Sequence, residues 1–141
     1  NGTWCGGVKP IWSSKEYSIC FCIEKIEKRN EIAGYVKGEF YFRTNNDANI
    51  KFKGEIDRNN IRMVVDDVTL IIDKDANLKT FISQDFNGSI GDIKINGQYG
   101  SKVTDETISL QTRDSLEQTL KGTFNLIKIS GGFLCKGYVN K

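Results

Sequence analysis

The sequence predicts an all-β protein: an antiparallel up-and-down meander of about eight to ten strands, closed or nearly closed into a barrel, with a two-layer sandwich as the alternative. Three observations carry that expectation. Most of the chain alternates apolar and polar residues with a period of two. Turn signals such as Asn45-Asn46-Asp47, Asn59-Asn60 and Gly91-Asp92 separate the alternating stretches at intervals of roughly ten to fifteen residues. A five-residue phrase, apolar-spacer-glycine-spacer-apolar, is also written six times, centred on Gly38, Gly54, Gly88, Gly97, Gly122 and Gly137. Residues two apart share a strand face, so these glycines belong to the inward side. Glycine there forfeits packing and costs backbone entropy, for which a bend, a bulge or the close approach of another backbone or ligand compensates. Repeated around a meander, the phrase marks a sheet that coils tightly enough to close.

The elements follow in order. A short strand is expected at Thr3 to Val8. Tyr17, Ile19, Phe21 and Ile23 alternate with polar residues and cysteines to give a strand that ends near Lys28, and Ile32 to Arg43 follows with its even positions inward. Ile50 to Asp57 is the cleanest half-buried strand, with Phe52, Gly54 and Ile56 inward and Lys51, Lys53, Glu55 and Asp57 outward. In Ile61 to Asp73 the inward set shifts from Ile61, Met63, Val65 to Val68, Leu70, Ile72, which predicts a β-bulge at Asp66-Asp67. Further strands are expected at Leu78 to Ile90, Ile93 to Tyr99, Val103 to Thr112, Thr119 to Ile129 and Phe133 to Val139. Asp114 to Gln118 holds at most a helical turn.

The 141 residues, 38% hydrophobic and 27% charged with a single proline, form one domain spanning 1–141. A chain of this length buries about two-thirds of the surface its unfolded form exposes. The net charge of +2 is dispersed rather than gathered in a stripe, which gives no footprint for nucleic acid. No apolar run approaches the roughly 18 residues of a membrane-spanning helix. Histidine is absent, and with it the side chain that most often transfers protons near neutral pH or binds zinc. No Ser-x-x-Lys or Gly-x-Ser-x-Gly motif supplies an activated nucleophile either. The chain is therefore expected not to be an enzyme and to need no cofactor or metal; the acidic residues Asp66, Asp67, Asp73 and Asp75 lack the glycine and distal glutamate of a calcium loop and read as turn residues.

Cys5, Cys20, Cys22 and Cys135 make an even count in a small chain that begins without methionine, and two tripeptides, Asn1-Gly2-Thr3 and Asn87-Gly88-Ser89, fit the glycosylation pattern. Together they predict a secreted or surface-exposed protein with disulfides. A four-thiolate site for a soft metal is the alternative use of the cysteines. Residues two apart in a strand seldom bridge to each other, so Cys20 and Cys22 are expected to take Cys5 and Cys135, in one order or the other. The link to Cys135 closes a loop of more than about 100 residues and contributes about 4 kcal/mol in the loop-entropy account. At Asn87 the alternation points the side chain outward, where a glycan clears the core.

Gly2-Thr3-Trp4, at the first strand of this meander, resembles the Gly-x-Trp start of the lipocalins and their calycin relatives, including the avidins. The likeness implies that Trp4 plugs the closed end of an antiparallel barrel whose open end admits a small apolar ligand. The chain departs from the pattern in having no C-terminal helix after the last strand, no second lipocalin motif and none of the later tryptophans of a biotin site.

Two functions are expected. In the first, a secreted barrel carries a small apolar ligand among Trp4, Phe21, Phe40, Phe52, Met63, Tyr99 and Phe124. In the second, the interior is packed solid and the protein is an extracellular structural or adhesive module, assembling with itself or a protein partner through edge strands, termini and the apolar stretch from Val8 to Trp12.

Overall fold

The computed structural model describes residues 2–26, 30–38, 50–73, 75–76 and 78–129. Within them the chain runs β1 (Gly2–Pro10), β2 (Tyr17–Lys25), β3 (Glu31–Gly38), β4 (Ile50–Asp57), β5 (Asn60–Asp73), β6 (Leu78–Ile90), β7 (Lys94–Val103), helix α1 (Leu110–Thr119) and β8 (Gly122–Ile129). Each strand pairs antiparallel with the next, and β1 pairs with β8, so the eight strands close into an up-and-down barrel. The sandwich alternative is thereby excluded. The expected segments at residues 39–43 and Phe133 to Val139, together with Asn1, Phe40, Cys135 and Gly137, lie outside the described residues.

Alternation sets the register. Trp4, Phe21 and Val36 lie side by side across β1, β2 and β3, and all three are buried. The bulge expected at Asp66-Asp67 is present as a register shift between Val65 and Val68 against β6, where two residues oppose the single Ser83. Asp66 accepts a hydrogen bond from the Ser83 hydroxyl there, 3.1 Å away.

One expected strand is absent. In place of the strand expected over residues 103–112, β7 ends at Val103 and a helix begins at Leu110. Asp105 stops the strand: its carboxylate accepts from the Thr107 N–H at 3.0 Å and the Thr107 hydroxyl at 2.6 Å, closing a local turn that competes with the ladder. Ser109 then caps the helix by accepting from the Thr112 N–H. The helix is longer than the single turn expected because Leu110, Gln111, Arg113, Leu116, Glu117 and Gln118 are all good helix formers. β8 pairs with β7 only as far as Tyr99. Beyond it, the Val103 N–H donates to the Glu117 carboxylate at 3.0 Å, so the helix serves that end of β7. Leu120, buried, anchors the helix to the barrel, while Ile108 and Leu116 pack part-buried against the core.

Candidate functional site

Of the residues expected to line a ligand chamber, Trp4, Phe21, Phe52, Met63, Tyr99 and Phe124 are all buried, on inward-facing positions of their strands. Their rings meet one another. Phe21 lies edge-on to Phe52 with centroids 5.3 Å apart, and Phe86 is met edge-on by Phe21 and Phe124, each at 5.2 Å, and stacked by Tyr99 at 5.4 Å. These are the preferred aromatic geometries and separations. Phe86 is thus the hub of a ring cluster in the core. At one end Lys128 reaches over the Trp4 ring, 5.7 Å from its centroid, within cation–π range.

At several glycines of the barrel wall there is no room for a side chain. A Cβ on Gly54 would run into the Arg62 carbonyl and Met63 Cα of β5, one on Gly122 into the Lys9 carbonyl of β1, and one on Gly6 into the Asn125 carbonyl of β8. The volume each lacks is taken by the backbone of the neighbouring strand. The glycines permit close approach and curvature.

Sequence reasoning passed over Gln84, although the alternation of β6 places it inward between Ile82 and Phe86. It is fully buried; its amide nitrogen donates to Ser101 Oγ at 3.3 Å, and its carbonyl oxygen has no hydrogen-bond partner.

Cys5 and Cys20 are cross-strand partners, with Cα atoms 4.1 Å apart, and form a disulfide. Cys22 is disulfide-bonded as well, and no described cysteine is free. On the outer face beside it, Thr3 is its partner on β1, and both are buried. Among the described residues no three His, Cys, Asp or Glu side chains gather as metal donors.

The outer surface is uneven in charge. On β4 the outward Lys51, Lys53, Glu55 and Asp57 are all charged and exposed, the reverse of the apolar outer band a lipid-facing barrel needs. No helix is long and apolar enough to cross a membrane. Arg62 on β5 grips Asp85 on β6 through three N–H to O contacts of 2.7 to 3.2 Å, and Asp85 holds the guanidinium in its protonated form. Asp85 also accepts from the Asn87 amide at 2.7 Å.

Beyond Asn87 the face changes. Asn87, Gln98 and Thr123 form one outward row across β6, β7 and β8, and Ser89, Asn96 and Asn125 form the next. All six are exposed and uncharged. Open depressions adjoin both sides. One, of about 500 Å³, is lined by Lys9, Ile11, Gln98, Lys121 and Thr123 among others; the other, of about 520 Å³, is lined by Glu55, Asp57, Arg62, Asn87 and Ser89 among others. At the edge of the first, Ile11 and Trp12 in the β1–β2 turn are 65% and 52% exposed, large apolar surfaces left in solvent.

Comparison with known proteins finds no family model that matches this chain and no characterised protein or solved structure similar to it. What the geometry defines is the class: an eight-strand antiparallel barrel with a disulfide across β1 and β2.

Proposed function

We propose that this is a non-enzymatic extracellular binding or adhesive module whose partner sits on the outside of the barrel. The observation that carries the reading is the occupancy of the interior: Phe86 is surrounded by Phe21, Tyr99 and Phe124, and the inward glycines are filled by neighbouring backbone. Because β1 pairs with β8, the first and last described strands present no free edge to each other's side of the barrel. Outer faces and turns are the surfaces this reading uses, and in the β1–β2 turn the adjacent Ile11 and Trp12 are both large, apolar and exposed. The disulfides support an oxidising compartment. The exposure of Asn87 in its sequon suits a glycan. The closed meander with Trp4 buried in β1 supports kinship with the lipocalin and calycin barrels.

Sedimentation of the purified protein over a wide concentration range, alone and with candidate extracellular proteins, tests the reading. Complexes weakened by Ile11→Ser with Trp12→Ser are the expected result. Stoichiometric displacement of a fluorescent lipid from the interior, with no surface-dependent binding, would move the function inside.

That interior reading keeps one observation in its favour, the buried and unpartnered carbonyl oxygen of Gln84. Polar groups of this kind orient ligands in apolar pockets. Native mass spectrometry of protein purified from its own source tests it, and an unliganded mass for all of the protein would remove it.

A further inference from the structure

The uncharged lattice on β6, β7 and β8 is the second surface with something to bind. Its central side chains are Asn96 and Asn125, cross-strand partners, and Gln98 and Thr123, the next such pair. Neighbouring strands set these side chains about 5 Å apart across the face. In a chain with 27% charged residues, this block carries none, in contrast to the four charges in succession on the outer face of β4. Charge begins at its borders, at Lys9, Lys94, Lys121 and Asp85. Among the described residues none of the four central side chains makes a hydrogen bond within the protein, so three amides and a hydroxyl present all their donors and acceptors outward. Each amide offers two donors and a carbonyl acceptor in one plane, and the hydroxyl offers one of each.

We infer that this face binds a neutral glycan. The inference rests on the reading that the exterior carries the function. A neutral polyhydroxylated chain matches the surface: it supplies hydroxyls that donate and accept in pairs, and neither side has to desolvate an uncompensated charge. A nucleic acid or an acidic polysaccharide finds no cation within the block. The depressions on either flank, entered from Gln98 and Thr123 on one side and from Ser89 on the other, bound the face, with Lys9 and Lys121 lining the first and Glu55, Asp57 and Arg62 the second.

The test uses the disulfide-bonded protein with Asn87→Gln, so that no attached glycan lies over the face. It is applied to an array of neutral oligosaccharides of glucose, galactose, mannose and N-acetylglucosamine units, with sulfated and uronic-acid counterparts. The expected result is retention on a subset of neutral glycans, insensitive to added salt, and weakened at least about tenfold by Asn96→Ala with Asn125→Ala. Gln98→Glu, which changes charge and almost no volume, gives a second variant that is exposed and keeps the fold. Absence of any retained glycan, preference for the acidic ones, or equal retention by both variants overturns the proposal. A dimer of this chain broken by the same substitutions overturns it too, while leaving the exterior reading intact. Lipid displacement without glycan binding overturns both.

Discussion

Gly88 on β6 and Gly97 on β7 are cross-strand partners, and each stands where the other's side chain would have to be: a Cβ built on either falls against the Cα of the other. Both belong to the inward face, next to the ring cluster of Phe86, Tyr99 and Phe124. Two glycines in register let the backbones of β6 and β7 approach closely at this point of the wall. Gly100, three residues along β7, has nothing within 4 Å of its would-be Cβ.

The contrast makes a matched prediction. Gly97→Ala forces backbone apart and is expected to cost about 1–3 kcal/mol, as overpacking does, and Gly54→Ala the same against the Arg62 carbonyl. Gly100→Ala is expected to be neutral or slightly stabilising through the unfolded chain. Urea unfolding of the three variants decides it. Equal effects at Gly97 and Gly100 would mean that close approach is not what the phrase encodes.

Much of the barrel was legible because its signal is local. The two-residue period placed β4 and β6 within a residue of their observed bounds, and the slip after Val65 located the bulge, since one inserted residue flips every later side chain. The same periodicity misread residues 103–112, where Asp105 turning back on Thr107 outweighs the short alternation of Ile108 and Leu110. Ring closure was suggested by the glycines but not fixed by them, because the β1–β8 pairing joins residues more than a hundred positions apart. The amide face escaped notice for a related reason: Asn96 and Asn125 become neighbours only once the register of β7 and β8 is known.

The Cys5–Cys20 bridge spans 15 residues of sequence, for which the chain-entropy account gives about 3 kcal/mol. Cys5→Ala with Cys20→Ala is expected to lose that order of stability while retaining the barrel, because the β1–β2 and β1–β8 ladders continue on both sides of the bridge. Peptide mapping without reduction is expected to recover Cys5 with Cys20 and to find Cys22 joined to Cys135, the remaining cysteine of the sequence. A fragment joining Cys5 to Cys22 would refute this pairing.

Asp105 carries a pH dependence whose sign follows from its partners. Hydrogen bonds from the Thr107 hydroxyl and N–H, and from the Thr80 hydroxyl at 3.0 Å, favour its charged form, and Arg113 adds a smaller attraction, so its pKa lies below the usual carboxylate value. A depressed folded-state pKa contributes stability that is present above the unfolded value, about 3.9, and is lost as the pH falls through the folded value. Asp105→Asn is therefore expected to be less stable than the wild type near neutral pH, with the difference closing in acid. Urea midpoints measured across a pH series check this. A gap between the two proteins that stays constant into acid would assign the effect to shape rather than charge.

Arg58 holds a position where its own side chain strains the backbone. It lies in the tight turn Arg58-Asn59 between the paired residues Asp57 and Asn60, with φ at 58°. The left-handed region costs a residue with a Cβ about 1–2 kcal/mol, which glycine escapes. Asn30, the other non-glycine residue with positive φ among the described residues, is of the type that tolerates it best. Arg58 is exposed, so its side chain packs against little. Arg58→Gly is expected to stabilise the protein by about 0.5–1 kcal/mol, the strain relieved less the extra freedom glycine gives the unfolded chain. Arg58→Ala, which keeps the Cβ, is expected to gain nothing. The measurement is the shift in urea midpoint at unchanged slope. If alanine stabilises as much as glycine, the benefit comes from removing the guanidinium, and backbone strain in the β4–β5 turn is not its source.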